Sequence, residues 1–428
     1  MRVLVLGGGG REHALAWRLR RDPDVEAVVA APGNPGIAAL GACHPVDLAD
    51  PAAMLALAER ERADLTVVGP EGPLDRGVVD VFRRAGRPIV GPPQAGSALE
   101  CSKAFAKAFM TRVGVPTARA IICGDLGRAL QVVSGAEFGF PVVVKADGLA
   151  AGKGVVVADD RRTAETAVRA AMEGRQFGAA GDTLVIEECL TGPEVSFFVL
   201  VDGTHAVVLG SAQDHKRLLD GDRGPNTGGM GAIAASPLVT PALEHEVLTT
   251  IVRPVLDGME AGGEAYRGFL YVSLMLTSAG PKVIEFNVRM GDPEAQVVMP
   301  LLEGAFAQAL LASATGRLDG MRLGLSAVRA VGVTLAAAGY PGPVTGGTPV
   351  QGLEAAAARP HTLVFHAGTR LADRRVVAAG GRVLTVVGFG PTFDDARQVA
   401  YDAVSVIRFE GMQFRRDIGR KAKDSIPA

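Results

Sequence analysis

The stretch Lys282–Glu294, KVIEFNVRMGDPE, decides how this chain is read. It follows an apolar run, Gly268–Leu276 (GFLYVSLML), and a turn signal, Ser278-Ala279-Gly280-Pro281, so the two runs should pair as a hairpin. Side chains alternate between the two faces of a strand. Ile284, Phe286 and Val288 are therefore expected on the buried face, with Glu285, Asn287 and Arg289 together on the other. Charged groups are costly to bury unless paired or metal-bound. Glu285 and Asn287 offer the hard oxygens that Mg²⁺ takes, with phosphates and water filling its remaining positions. Arg289 could hold a carboxylate or phosphate through its planar fork. On these residues alone, a solvated strand face with Glu285 and Arg289 as an ordinary ion pair is an equal alternative.

The rest of the chain has to supply the context. Its 428 residues exceed one ordinary core, and the length suggests about three domains. With 48% hydrophobic and 21% charged residues it has the composition of a globular protein. The 44 basic and 46 acidic residues leave a net charge of −2 without a basic tract, which argues against a nucleic-acid partner. Cys43, Cys101, Cys123 and Cys189 stand singly, so neither a disulfide framework nor a zinc site is indicated. Val3–Leu6 is too short for a signal peptide, and no run approaches the ~18 apolar residues of a membrane span. A cytoplasmic protein with no membrane partner is expected.

Residues 1 to about 100 alternate apolar strands (Arg2–Leu6, Val25–Ala31, Leu65–Val68, Pro88–Val90) with helical patterns, as a parallel sheet with helices on both faces requires. The first strand enters Gly7-Gly8-Gly9-Gly10 and then a helix, where backbone amides can receive a phosphate. It is a poor dinucleotide fingerprint. Glu12 falls where the third glycine belongs, and no acidic residue follows the second strand. A mere tight turn is the commoner meaning of such a stretch.

Beyond Gly91-Pro92-Pro93, a helix carries Lys103 and Lys107 four apart, hence on one face; only Lys107 is given a ligand role. Residues ~117–190 read as a compact strand–helix–strand–strand–helix–strand unit. Its loop, Asp147–Gly154, is not a Walker A loop: the spacing is one residue short, Gly154 replaces Ser/Thr, and no helix follows. A glycine-rich loop with Lys153 between two strands reads as a lid over phosphates. Lys145, inside Val142-Val143-Val144-Lys145, must find an anion, whether a ligand or a nearby carboxylate. Glu187, Glu188 and Glu194 fit the edge of a nucleoside site, although acidic pairs at strand ends are commonly just exposed. Val195–Val201 and His205–Gly210 are expected to pair across Asp202-Gly203. The long polar segment Gln213–Gly231 reads as a functional loop for an anionic substrate. Asp292 is expected to cap a helix with Pro293 at its first position. Residues ~327–428 read as a small α+β domain closing over the site, and Phe414–Gly419 remains unclassified.

Five stretches together carry a resemblance: Gly8–Ala14 (GGGREHA), Val144–Gly154 (VKADGLAAGKG), Gln213–Arg217 (QDHKR), Gly224–Gly231 (GPNTGGMG) and Glu285–Glu294 (EFNVRMGDPE). In that order they resemble the glycinamide ribonucleotide synthetase family of the ATP-grasp superfamily. The similarity extends through Phe365–Thr369 and Arg416–Gly419, essentially the whole chain. It implies an ATP-grasp fold of three parts, an N-terminal parallel-sheet α/β domain (1–102), an ATP-grasp domain (103–326) with a mobile lid, and a small C-terminal α+β domain (327–428). The implied reaction joins glycine to 5-phosphoribosylamine with ATP, through a glycyl phosphate, as the second step of purine synthesis. The implied partners are these small molecules, with ATP as co-substrate and Mg²⁺ or Mn²⁺ as metal, on a monomer or weak dimer.

Matched position by position, Glu285 and Asn287 would hold the metal. Lys107, Lys145, Gly148, Gly152, Lys153, Gly154, Glu187, Glu188 and Glu194 would serve ATP. Gly9, Gly10, Asn226 and Gly228 would meet substrate, and Asp214, Lys216 and Arg289 would act in catalysis. Two departures from the family pattern are Gly8 in place of Asn, and Val288-Arg289-Met290 in place of Cys-Arg-Phe. The partner strand Gly268–Leu276 has no carboxylate, so a second metal ion would lack an acidic ligand there. Another ATP-grasp ligase, or a nucleotide-binding protein without turnover, stays open as an alternative.

Overall fold

Val3, Leu4, Val5 and Leu6 are all completely buried, but not in the same core. Val3 and Val5 pack with Leu15 and Leu19 of the helix Gly10–Arg20, whereas Leu4 and Leu6 pack with Met54, Leu57 and Phe82 on the opposite face. Burial on both faces is why the strand reads as an unbroken apolar run. In this computed structural model, which describes residues 1–148 and 154–422, it is the centre of a five-stranded parallel sheet. The spatial order is Ala42–Cys43, Ala27–Pro32, Arg2–Gly7, Leu65–Val68, Ile89–Val90. The edge strand Ala42–Cys43 was not legible, since two residues carry no period.

The strands Ala120–Cys123, Leu184–Glu188, Val142–Ala146 and Val155–Ala158 form, in that order, an antiparallel sheet. Val142, Val144 and Ala146 face a small core shared with the helices Leu126–Ser134 and Arg161–Met172. Period-2 alternation sends Val143 and Lys145 to the other face. That face looks into the main cleft.

The third sheet has eight strands, each antiparallel to its neighbours. They run in space Gly280–Asn287, Arg267–Thr277, Glu194–Asp202, Ala206–Asp214, Gly231–Ala234, Arg329–Ala336, Arg382–Gly390, Thr362–His366. The last three come from the C-terminal segment. They extend the same sheet through pairing of Gly231–Ala234 with Ala330–Val333, while the helix Phe393–Val404 packs on Val383 and Val386. Two sequence expectations change here. Val201 pairs with Ala206, so the turn is Asp202–His205 and Asp202 Oδ1 accepts the amides of Thr204 and His205. The polar segment after Asp214 is not open loop but carries a two-stranded ribbon, Arg217–Leu219 with Arg223–Asn226.

Candidate active site

The hairpin forms as expected, Thr277 pairing with Gly280 across a two-residue turn. Its alternation is broken once. Ser273 pairs with Glu285 but Leu274 pairs with Val283, so Ile284 is bulged out of the ladder. Val283 takes the fully buried position expected for Ile284, and Ile284 lines the cleft instead. Below the bulge the period resumes. Phe286 and Val288 are buried, and Glu285, Asn287 and Arg289 share the wall of a cleft of about 1580 Å³ between the four-stranded and eight-stranded sheets, with helix residues such as Glu71, Glu100 and Lys107 completing its lining.

Neither the Glu285 carboxylate nor the Asn287 carboxamide has a hydrogen-bond or ion-pair partner among the described residues. Burial raises the Glu285 pKa, but Lys216, Lys145, Lys103 and Arg289 outweigh it and hold the carboxyl below its usual value. An ionised, uncommitted carboxylate two residues from an uncommitted amide oxygen fits a hard divalent cation. No group of three or more His, Cys, Asp or Glu suited to a metal occurs among the described residues, so the remaining ligands would be phosphates and water.

Arg289 does not pair with Glu285. Its guanidinium bonds Glu71 at 3.1 Å and Glu100 at 2.6 Å, one at the start of the helix Glu71–Asp75 and the other near the end of Gln94–Cys101. Burial works against the cation, but Glu100 and Glu71 raise the Arg289 pKa. Glu100 also accepts the Val288 amide at 2.8 Å, fixing the chain just past Asn287.

Glu187 is the anion that Lys145 finds. Lys145 Nζ pairs with its Oε1, and Lys107 Nζ lies 2.6 Å from its Oε2, with all three residues at most 5% exposed. Burial, and then Lys145, lower the Lys107 pKa against the pull of Glu187. Lys103 belongs to the site as well, contrary to the sequence reading. Its ammonium donates to the Gly148 carbonyl at 3.0 Å and contributes to the field on Glu285. The helical spacing of Lys103 and Lys107 was the signal. Gly148 and Gly154 lie in the cleft wall; Gly152 and Lys153 lie outside the described residues.

Glu188 and Glu194 also reach the cleft, each with a partner: Glu188 takes Arg119 and Lys282, and Glu194 takes Lys216 at 2.6 Å. Burial opposes the Lys216 charge, but Glu194, Glu285 and Asp214 hold its pKa up. Asp214 is raised well above the carboxylate range by burial and by Glu294. Glu294 is 3% exposed and takes the Tyr271 hydroxyl at 2.8 Å and the Ser196 hydroxyl at 3.3 Å.

Gly9 and Gly10 stand apart from the cleft wall. The Gly9 amide donates to Glu12 Oε2 at 2.6 Å, so Glu12 occupies the donor a dinucleotide phosphate would use. A Cβ on Gly10 would fall 2.3 Å from Gln296 Nε2. Asp292 does not cap the helix Glu294–Val298; its Oδ1 accepts the Gln296 side chain at 2.8 Å.

Asn226 and Gly228 do line the cleft, held by groups that the sequence did not single out. Arg382 donates to the Gly228 carbonyl, and the Tyr340 hydroxyl accepts the Gly228 amide at 2.9 Å. Below them Arg415, 1% exposed, pairs with Asp222 at 2.8 Å and Asp417 at 2.9 Å and donates to the Arg217 carbonyl. The unclassified tail is thus the clamp on the ribbon.

Comparison with known proteins agrees with this architecture. Residues 1–100, 101–295 and 330–421 match the N, ATP-grasp (A) and C domains of phosphoribosylglycinamide synthetase. The chain is 48% identical over 423 residues to phosphoribosylamine–glycine ligase of Ralstonia nicotianae, covering 99% of each chain, and 49% identical over 425 residues to that of Streptomyces coelicolor. The crystal structure of phosphoribosylamine–glycine ligase from Thermotoga maritima superposes with a TM-score of 0.85 at 34% identity, over 97% of this chain and all of that one. The biotin carboxylase domain of Hydrogenobacter thermophilus 2-oxoglutarate carboxylase, solved with MgADP and bicarbonate, shares the fold at a TM-score of 0.72 and 19% identity, over 96% of this chain and 91% of that one. With all three domain models in register and close relatives along its full length, the chain belongs to the phosphoribosylglycinamide synthetase family of ATP-grasp enzymes.

Proposed function

We propose that this chain joins glycine to 5-phosphoribosylamine, converting ATP to ADP and phosphate and giving glycinamide ribonucleotide, the second step of purine synthesis. The carrying observation is the uncommitted pair Glu285 and Asn287, set in a field of lysines within this family's fold. Magnesium or manganese held there would neutralise phosphate charge during transfer.

The chain's own residues divide the work. Lys103, Lys107 and Lys145 orient the nucleotide phosphates, with Gly148 and Gly154 in the cleft wall beside them. Ile284, brought into the cleft by the bulge, adds apolar surface to its wall. The γ-phosphoryl group passes to the glycine carboxylate, and the sugar amine then displaces phosphate from the acyl carbon. Asp214, Lys216 and Arg289, with Asn226 and Gly228, serve the glycine and amine side. Catalysis rests on positioning and charge neutralisation, with water excluded from the acyl phosphate. The three-domain division at 102/103 and 326/327, a lid at about 117–190, a cytoplasmic location and a monomer or weak dimer complete the reading.

The test is ADP release by the purified protein with Mg²⁺, glycine and phosphoribosylamine generated in place from ribose 5-phosphate and ammonia. ADP with both substrates present, together with product of the expected mass, supports the proposal. ADP with another carboxylate–amine pair would assign a different ligase; ATP binding without ADP under any combination would favour a binding protein.

A further inference from the structure

Gly228 is gripped at both of its backbone polar groups by the C-terminal segment. Its amide donates to the Tyr340 hydroxyl at 2.9 Å, and its carbonyl accepts Arg382 Nη1 at 2.5 Å. The same Nη1 also donates to the Asp292 carbonyl at 2.5 Å, and it stands 3.5 Å from Asp292 Oδ1. Tyr340 is itself fixed, since Gln413 donates to its carbonyl at 3.1 Å. A Cβ on Gly228 would lie 3.1 Å from the Arg382 guanidinium carbon, so the absence of a side chain lets the guanidinium seat flat on the turn.

From these contacts we infer that Arg382 is a positioning residue for the non-nucleotide half of the reaction, with Tyr340 as its support. One guanidinium nitrogen joins two segments with no direct link in sequence. One is the turn after the Arg217–Asn226 ribbon. The other is the turn five residues beyond Asn287. Arg382, Tyr340, Asn226, Gly228 and Asp292 line the same cleft as Lys107, Lys145 and Glu187, but those three pair with one another and make no contact with Arg382 or Tyr340 among the described residues. Loss of Arg382 therefore frees the Asn226–Gly229 turn relative to the metal hairpin and leaves the lysine cluster intact. A group serving only as glue between domains would not need to stand in the cavity wall.

The inference rests on the functional reading above, and two independent readouts separate their failures. In Arg382→Ala, KM for glycine or for phosphoribosylamine should rise about tenfold or more, as expected for losing charge-assisted hydrogen bonds. The Kd for ATP should stay within about twofold, because the nucleotide-side lysines are untouched. Arg382→Lys should recover part of the loss, and Tyr340→Phe, which keeps the ring but removes the acceptor, should show a smaller loss in the same direction. By hydrogen exchange, the 223–231 amides should exchange faster in Arg382→Ala while the 2–7 strand does not change. Unchanged KM values for both substrates, or an ATP Kd raised as much as they are, would overturn the assignment. If the wild-type protein makes no ADP, the functional reading fails; hydrogen exchange then decides alone whether Arg382 holds the Gly228 turn, and unchanged 223–231 amides would overturn it.

Discussion

Glu187 presents its Oε2 to Lys107 Nζ at 2.6 Å, joining the strand Leu184–Glu188 of the four-stranded sheet to the helix Lys103–Val113. Lys145 closes on the other oxygen, so one buried carboxylate balances two ammonium groups. Removing one partner of such a cluster leaves uncompensated charge. Glu187→Gln keeps the volume and should lower stability by about 3 kcal/mol, the low end of the usual loss for a broken buried pair. Denaturant unfolding measures it; a change below about 0.5 kcal/mol would show that the cleft already solvates the lysines.

Glu285→Ala removes the uncommitted carboxylate from the cation field. Turnover should fall by about 100-fold or more, a loss of ~2.7 kcal/mol in transition-state stabilisation. The melting temperature should fall only modestly: Glu285 makes no hydrogen bond or ion pair among the described residues, but its charge offsets the surrounding lysines and Arg289. Near-normal ADP formation would remove Glu285 from the metal role.

His13 and His366 join the N-terminal helix to the C-terminal strand, with His13 Nδ1 accepting the His366 amide at 2.8 Å. Burial, then the neighbouring His366, lower the His13 pKa to about 3, and burial lowers His366 to about 4. Both folded values lie below the unfolded value near 6.5. Stability is therefore complete above about pH 6.5 and is lost as the unfolded chain takes up protons on acidification. Two such groups give a slope of up to about 2.7 kcal/mol per pH unit between pH 6.5 and 4, and His13→Leu should roughly halve it. Equal slopes in the wild type and the variant would refute this.

Arg415 is buried against Asp222, Asp417 and the Arg217 carbonyl. Arg415→Met should leave Asp417 without its guanidinium partner, while Asp222 keeps Lys421, and release the Arg217–Asn226 ribbon, with a loss of about 1–3 kcal/mol. Limited proteolysis between 217 and 226 should then precede global unfolding. Cleavage rates equal to the wild type would mean that the tail does not hold the ribbon.

Local pattern was enough for much of this molecule. Apolar runs and their spacing marked the parallel sheet, the strands of the four-stranded sheet and the Arg267–Asn287 hairpin. Period-2 alternation placed Glu285, Asn287 and Arg289 on one face and Lys145 opposite Val144, because strand geometry couples neighbours two residues apart. Which partner each charged side chain takes is not a local property. Arg289 meets Glu71 across 218 positions, and Arg382 reaches Gly228 across 154. Such contacts exist only once the three sheets have docked, and long flexible side chains select whichever opposite charge the docking brings within reach. The bulge at Ile284 is of the same kind, since register depends on both strands of the hairpin. Sequence by itself determined the elements and the face on which the chemistry stands; tertiary structure decided the partners, because burial makes unpaired charge costly only where distant segments close over it.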